Sequence, residues 1–325
     1  MGRYLIRRLL QTIVVLIGVT LLAFITLHMA GDPTYLYVSE RASEEEIIET
    51  RAKLGFDRPL PEQYINFLIG LAQGDLGNSL RQRRPALGLV LERLPATLEL
   101  TFAAMIISTG FAIPIGIIAA SRRGTFFDGG TMLLAMFGQS MPSFWLGIML
   151  LLALGLGLRI LPISGHVPFL EPLLEGRLDI AIANLPLSMR HVLLPAITVG
   201  VFSLSRNARL VRSSMLEVLS SEYVTTARSK GLRERVVIMR HAFRNALIPI
   251  VTMLGLEFGF LLSGVVVVET VFSWPGVGRL VFNAINQRDI PVVLASVVVF
   301  SLLFVFLNFF VDVLYAQLDP RVRLK

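Results

Sequence analysis

Glu257 stands near the middle of the apolar stretch from Asn245 to Val268. A carboxylate at bilayer depth costs about 2.5 to 3.5 kcal/mol on insertion scales, so it must face a cavity, pair with another group or carry a proton. Helical spacing puts Met253, Phe260 and Gly264 on its stripe, and Gly255 and Gly259 form a GxxxG step that permits close helix contact. Three roles follow. We expect Glu257 and Met253 to line a translocation pathway; an interhelical hydrogen-bonded pair and a proton relay are the other two. Gln139, Ser140 and Ser143 put polar atoms beside Pro142, where they either face the same pathway or satisfy the carbonyl that proline frees. Asp312, one turn after Asn308, reads as a structural or snorkelling group near a span end.

Other chemistries find few residues to carry them. The chain has no cysteine, which excludes disulfides and thiolate sites. His28, His166, His191 and His241 are scattered without metal-ligand spacing, so no metal site is expected. A phosphate-binding P-loop needs a lysine preceded by glycine, yet Lys53 follows Ala52, Lys230 follows Ser229 and Lys325 follows Leu324. Nucleotide chemistry must therefore come from another subunit, and no cofactor is expected in this chain. An intramembrane serine protease would need a histidine facing Ser140, but His28 and His191 lie at the ends of apolar runs.

The elements that position these residues are membrane helices. Of 325 residues 54% are hydrophobic and 16% charged, with a mean hydropathy of +0.70, whereas a soluble domain carries about 25% charged residues. The net charge of +7 is distributed between apolar runs rather than on one wettable face, which argues for membrane topology and against nucleic acid. A span needs about 20 apolar residues. Six windows qualify: Leu9 to Ala30, Thr97 to Ala120, Gly129 to Leu158, His191 to Ser205, Asn245 to Val268 and Pro291 to Ala316. The fourth runs on into Arg206, Arg209 and Arg212, whose stems can snorkel. The first follows Arg3, Arg7 and Arg8 but exceeds a signal-peptide core and meets Gly31, Asp32 and Pro33 rather than a cleavage pattern.

Orientation follows from the short connections. Residues 1–8, 121–128, 206–244 and 317–325 hold seventeen Lys or Arg, against five in 159–190 and 270–290. The positive-inside bias puts both termini in the cytoplasm. The long external segment 31–95 has helical signals of its own: Ser43 before Glu44, Glu45 and Glu46 as a capping box, Gly55 as a stop, and a helix from Pro61 to Gly74. It is expected either to dock a soluble partner or to fold over the bundle. The internal connection between the fourth and fifth spans is too long for a turn; it predicts a short amphipathic helix over Ser221 to Ala227, a break at Gly231 and a second helical stretch.

The segment YVTTARSKGL resembles the cytoplasmic coupling loop of bacterial ABC importer permeases, with Ala227 and Gly231 at the matching small positions. It departs from the general pattern in carrying Thr225 and Thr226 in place of acidic residues and Pro249 later than in the short form. That longer form is similar to the dipeptide and oligopeptide branch. The strings RYLIRRLL, LGFDRPLPEQY, GDLGNSL, ERLPATLEL, MPSFWLG, HAFRNALIPIVT, VVVETVFSWPGVGRLV and LYAQLDPRVR extend the likeness over nearly the whole chain; WPG alone is a tight turn and DPR a helix stop.

The resemblance implies a permease of an importer for peptides or similar small solutes, together with a second homologous permease, two ATP-binding cassette ATPases and an external solute-binding protein. It also implies that Thr225, Thr226, Ala227, Arg228, Lys230 and Gly231 meet the ATPases, and that Glu257 tunes substrate preference where the family pattern often has a neutral amide. We therefore expect an all-α polytopic protein of about six transmembrane helices in a prokaryotic inner membrane. Residues 1–95 form a first helix plus external segment, and 96–325 a five-helix core with a coupling loop over 213–244. The chain itself is expected to be non-enzymatic. The rival is a proton-coupled transporter that uses Glu257.

Overall fold

The computed structural model describes residues 2–29, 33–36, 38, 42–53 and 55–318, and among these no named strand occurs. The basic end from residue 319, the Gly31–Asp32 pair, and the side chains of Arg3, Arg7, Arg8 and Asp312 lie outside the described part, as do the surroundings of Gly255. Thirteen helices are named here: α1 (Gly2–Met29), α2 (Glu44–Lys53), α3 (Leu60–Gln73), α4 (Ala86–Ser121), α5 (Phe126–Ser140), α6 (Ser143–Leu150), α7 (Leu170–Leu174), α8 (Leu178–Leu219), α9 (Glu222–Ser229), α10 (Glu234–Val236), α11 (Phe243–Val271), α12 (Val277–Asn286) and α13 (Ile290–Leu318). Among the described residues Ala86–Ser121, Leu178–Leu219 and Ile290–Phe309 are each long and apolar enough to cross a membrane. Two bent pairs, Phe126–Ser140 with Ser143–Gly157 and Glu234–Leu247 with Pro249–Leu262, bring the number to five, and α1 contributes the shorter apolar stretch Ile13–Thr26. All six expected windows thus fall on helices.

Two windows differ in detail. Gly129 to Leu158 was expected to be one span, but it turns by 104° between α5 and α6. Pro142 is the cause: it has no N–H to give, and its extended φ of −62° and ψ of 135° end one helix and start the next. The fourth window is much longer than His191 to Ser205. Leu178–Leu219 is continuous through Pro186 and Pro195, and sixteen of its residues are buried, so tertiary packing outweighs proline and arginine content.

The chain forms two compact units. One contains residues 1–95 with 275–306; the other contains 96–274 with α13 from Leu307 onward. Residues 275–306 group with the N-terminal part. Their packing explains it. Val277, Ala284, Val292, Val293 and Val298 share a core with Leu76, Leu89 and Val90, and the buried Asp289 carboxylate accepts from Ser79 Oγ at 2.5 Å and Leu80 N at 3.1 Å.

In this unit α2 starts where the Ser43 hydroxyl accepts from Glu46 N at 3.2 Å, and Gly55 at φ 72° ends it. Gly74, at φ 78°, ends α3. Helix α3 packs on α1: Tyr64 Oη donates to Ile17 O at 2.8 Å and packs with Phe24, Ile290 and Leu294. Helix α2 buries nothing.

In the second unit α8 is the central element, packed by α5, α6, α7 and α11. One apolar cluster joins Leu100, Ala104, Leu194, Leu261, Val265 and Trp274, and another joins Ile117, Val211, Met215, Ala246 and Ile250. Small residues let α4 approach α8: a Cβ on Gly116 would lie 2.6 Å from Val211 Cβ, and one on Gly200 would lie 3.1 Å from Ala104 O. The outer faces carry large apolar side chains, with Ile106 71%, Leu134 71% and Phe111 59% exposed. Such a surface suits lipid or partner helices, not water.

Candidate functional site

The connection after α8 folds as a short helix on a buried base. Helix α9 begins after Ser221, in extended conformation, and ends at Lys230. Val224 and Ala227 point inward and pack with Val237, Val218 and Leu219. Ala227 is only 6% exposed, so within this chain its side chain belongs to the base under α9. Thr225, Thr226, Arg228, Lys230 and Gly231 are exposed. The Thr225 and Thr226 hydroxyls donate back to Ser221 O and Glu222 O at 3.5 and 3.0 Å. Arg228 donates to both Glu234 oxygens at 3.2 and 2.8 Å, tying α9 to α10, and that guanidinium holds the Glu234 carboxyl below its usual range. Gly231, at φ 75°, makes the turn between them, and a Cβ there would meet nothing within 4 Å.

The interior residues form a second group. Glu257 is fully buried and makes an ion pair with Arg206 of α8 through Arg206 Nη2 and Glu257 Oε2. Of the three roles open for Glu257, the geometry displays the interhelical pair. Its carboxylate does not line an open surface of this chain, while its neighbour Arg206 keeps 36% of its side chain exposed. Among the described residues Glu257 Oε1 and Arg206 Nε have no hydrogen-bond partner, nor do Ser203 Oγ and both amide atoms of Asn207. Met253 is half-buried. Gln139, at the end of α5, accepts from Arg209 of α8. Ser140 Oγ donates to Met136 O at 2.9 Å, which is local helix satisfaction, and Ser143 opens α6 half-buried. Among the described residues no hydrogen bond joins Gln139, Ser140 or Ser143 to Glu257 or Met253. Instead, α8 links the two groups through successive arginines.

Two family models match most of the chain: the N-terminal membrane component of binding-protein-dependent transport systems over residues 1–101, and the inner membrane component of those systems over residues 112–324. The chain belongs to this permease family. It is 42% identical to the dipeptide transport system permease protein DppB of Escherichia coli K12 over 338 residues, covering 100% of both chains. It is 40% identical to the glutathione transport system permease protein GsiC of Pectobacterium atrosepticum over 326 residues, again covering 100% of both. Its fold is similar to that of a chain in the inward-facing MetNI methionine ABC transporter, with a TM-score of 0.53 at 13% identity, covering 71% of this chain and 96% of that one. This chain is accordingly an ABC importer permease subunit, embedded in the membrane by several helices.

Sequence reading missed several polar residues of the permease. Asp128 at the start of α5 takes a two-pronged contact from Arg212, Nε to Oδ1 at 2.6 Å and Nη2 to Oδ2 at 2.8 Å, which fastens α5 to the far end of α8. Arg212 is thus held by an acid rather than merely snorkelling; the signal in the sequence is Asp128 in the first turn of α5 and an arginine without a local partner. Glu99 gathers His166 Nε2 at 3.3 Å, Ser188 Oγ at 2.5 Å and the Phe169 N–H at 3.3 Å, pinning the 159–177 connection. Trp274, read as part of a turn, is fully buried: its Nε1 donates to Ala96 O at 2.9 Å and its ring meets His166 edge-on at 4.5 Å. No local rule predicts these contacts, because their partners lie far away in the sequence.

Proposed function

We propose that this permease forms half of a translocation pathway for peptides or similar small solutes, driven by ATP hydrolysis in separate subunits. The relatives named for dipeptide and glutathione transport support this solute class. In this reading a second homologous permease completes the pathway, two ATP-binding cassette ATPases sit on the cytoplasmic side, and an external solute-binding protein delivers the cargo. Both termini are cytoplasmic. ATP-driven closure moves α9, and α8 carries that motion into the helices around Glu257 by alternating access.

The observation that carries the reading is the construction of the α9 segment. A force-bearing contact needs a rigid base and a projecting face. Here Val224, Ala227 and Val237 provide the base, the Arg228–Glu234 pair braces the turn, and Thr225, Thr226, Lys230 and Gly231 project. The chain carries no P-loop of its own. The test measures ATPase copurification, substrate-stimulated hydrolysis and uptake together. Gly231→Leu is expected to leave the spans inserted while reducing copurification or uncoupling hydrolysis from uptake. Uptake that persists without the ATPases would remove the importer reading and bring forward the proton-coupled one.

Orientation is tested with cysteines introduced into a chain that has none. Cysteine at position 230 should be protected from an impermeant thiol reagent in intact cells, and cysteine at position 50 should label. External labelling at 230 would invert the topology.

A further inference from the structure

We propose that Arg206, held in place by Glu257, recognises the free carboxylate of the solute as it passes, so that the permease itself selects for anionic ends. This rests on the transport reading above and adds the group that reads the cargo. Glu257 is the central residue of the 29 in α11, and Arg206 reaches it from α8. A guanidinium at that depth does not face lipid without a large cost. Yet 36% of the Arg206 side chain is open in this chain, so its open edge faces water, a partner or cargo.

The pair is also incomplete. One contact joins Arg206 Nη2 to Glu257 Oε2, while Arg206 Nε and Glu257 Oε1 are left without partners. Both of those atoms are covered, so a solute reaches the pair only through the part of the Arg206 side chain that stays open. The surroundings define what that part can bind. The Arg206 guanidinium lies 4.7 Å over the Phe260 ring, which itself stacks on Phe202 at 5.2 Å, so the planar fork is fixed from below. A planar, fixed and permanently charged fork matches a carboxylate, which it can bind by two parallel hydrogen bonds. Arg209, exposed and one turn further along α8, offers the next cation toward the α9 end. A carboxylate can therefore pass from one arginine to the next. Glu257, fully covered, orients Arg206 and does not touch cargo.

The probes are dialanine and dialanine amide, which differ in the C-terminal charge. Uptake is measured in the reconstituted complex of permeases, ATPases and binding protein, with each probe saturating the binding protein. The parent complex is expected to carry the acid about tenfold or more faster than the amide. The double variant Arg206→Gln/Glu257→Gln removes both charges together and avoids leaving a lone buried carboxylate. Its acid-to-amide ratio should fall close to one while ATP-stimulated uptake of the amide continues; Arg206→Lys should retain part of the preference. An equal loss of rate for both probes, with the ratio unchanged, makes the pair structural and overturns the proposal. Dissociation of the complex with the ratio preserved in the remainder assigns Arg206 to the contact with the second permease and overturns it as well. ATP-dependent uptake of neither probe by the parent overturns the peptide reading beneath it.

Discussion

The Arg206–Glu257 pair and the Arg228–Glu234 pair join the same two residue types in opposite circumstances. The first is held between two long helices, with Glu257 fully buried and polar atoms around it unsatisfied. The second lies on the surface, with side chains 43% and 56% exposed and both carboxylate oxygens engaged. Exposed pairs contribute little to stability, about 0 to 1 kcal/mol, whereas breaking a buried one costs several. The comparison separates two tasks. Around α9 the exposed pair satisfies both carboxylate oxygens, while between α8 and α11 the buried pair leaves Glu257 Oε1 and Arg206 Nε unsatisfied among the described residues.

The largest expected effect comes from separating the interior pair. Glu257→Leu leaves Arg206 without its counter-charge and should lower stability by about 3 kcal/mol, the lower end of the range for buried pairs because Arg206 is part-exposed. Thermal unfolding of the purified complex in detergent checks this. Adding Arg206→Met to Glu257→Leu should restore most of the loss, since an apolar pair of similar volume carries no unpaired charge. If the double variant is no more stable than the single one, the two residues are not coupled.

The Asp128–Arg212 contact lies between these extremes. Asp128 has 7% and Arg212 24% of its side chain exposed, and the geometry is two-pronged. Asp128→Asn keeps the shape but removes the charge, and is expected to cost about 1.5 to 3 kcal/mol. Because α5 is bent away from α6 by 104° at Pro142, this contact is a main tie between α5 and α8. The variant should therefore also speed proteolysis in the 121–128 connection. A loss below about 0.5 kcal/mol would place this pair with the exposed kind.

Local rules made one half of this comparison legible in the sequence and concealed the other. The helix expected over Ser221 to Ala227 is Glu222–Ser229, and Gly231 breaks it at positive φ; Ser43, Gly55 and Gly74 cap as spacing predicts. Each signal acts within a few residues. What the sequence did not disclose is direction. Ala227 was small for a reason, but whether it faces a partner or its own Val237 depends on a contact across the loop. Glu257 required a partner on energetic grounds, yet Arg206 is 51 residues away and no periodicity selects it. The 104° turn at Pro142 and the grouping of residues 275–306 with the N-terminal unit are likewise set by packing. The six apolar windows were visible because lipid imposes its requirement on every residue of a span.

The smallest effect on stability, and the most discriminating for the α9 surface, is expected at Gly231. Within this chain glycine is needed there only for its backbone: φ is 75°, and a Cβ would meet no heavy atom within 4 Å. Gly231→Ala should therefore cost about 1 kcal/mol, because alanine is strained at positive φ, and Gly231→Asn only a few tenths, because asparagine tolerates that conformation. If α9 presents a face that the ATPase covers closely, the function of the two variants will not follow this order. Asparagine adds a larger side chain at an open position, so it should reduce ATPase copurification and substrate-stimulated hydrolysis more than alanine does, despite the more stable fold. Unfolding temperature and copurification, measured on both variants, separate the explanations. Should Gly231→Asn behave as the parent in every assay while Gly231→Ala fails, the glycine serves the turn alone, and the ATPase contact must be sought on Thr225, Thr226 and Lys230 instead.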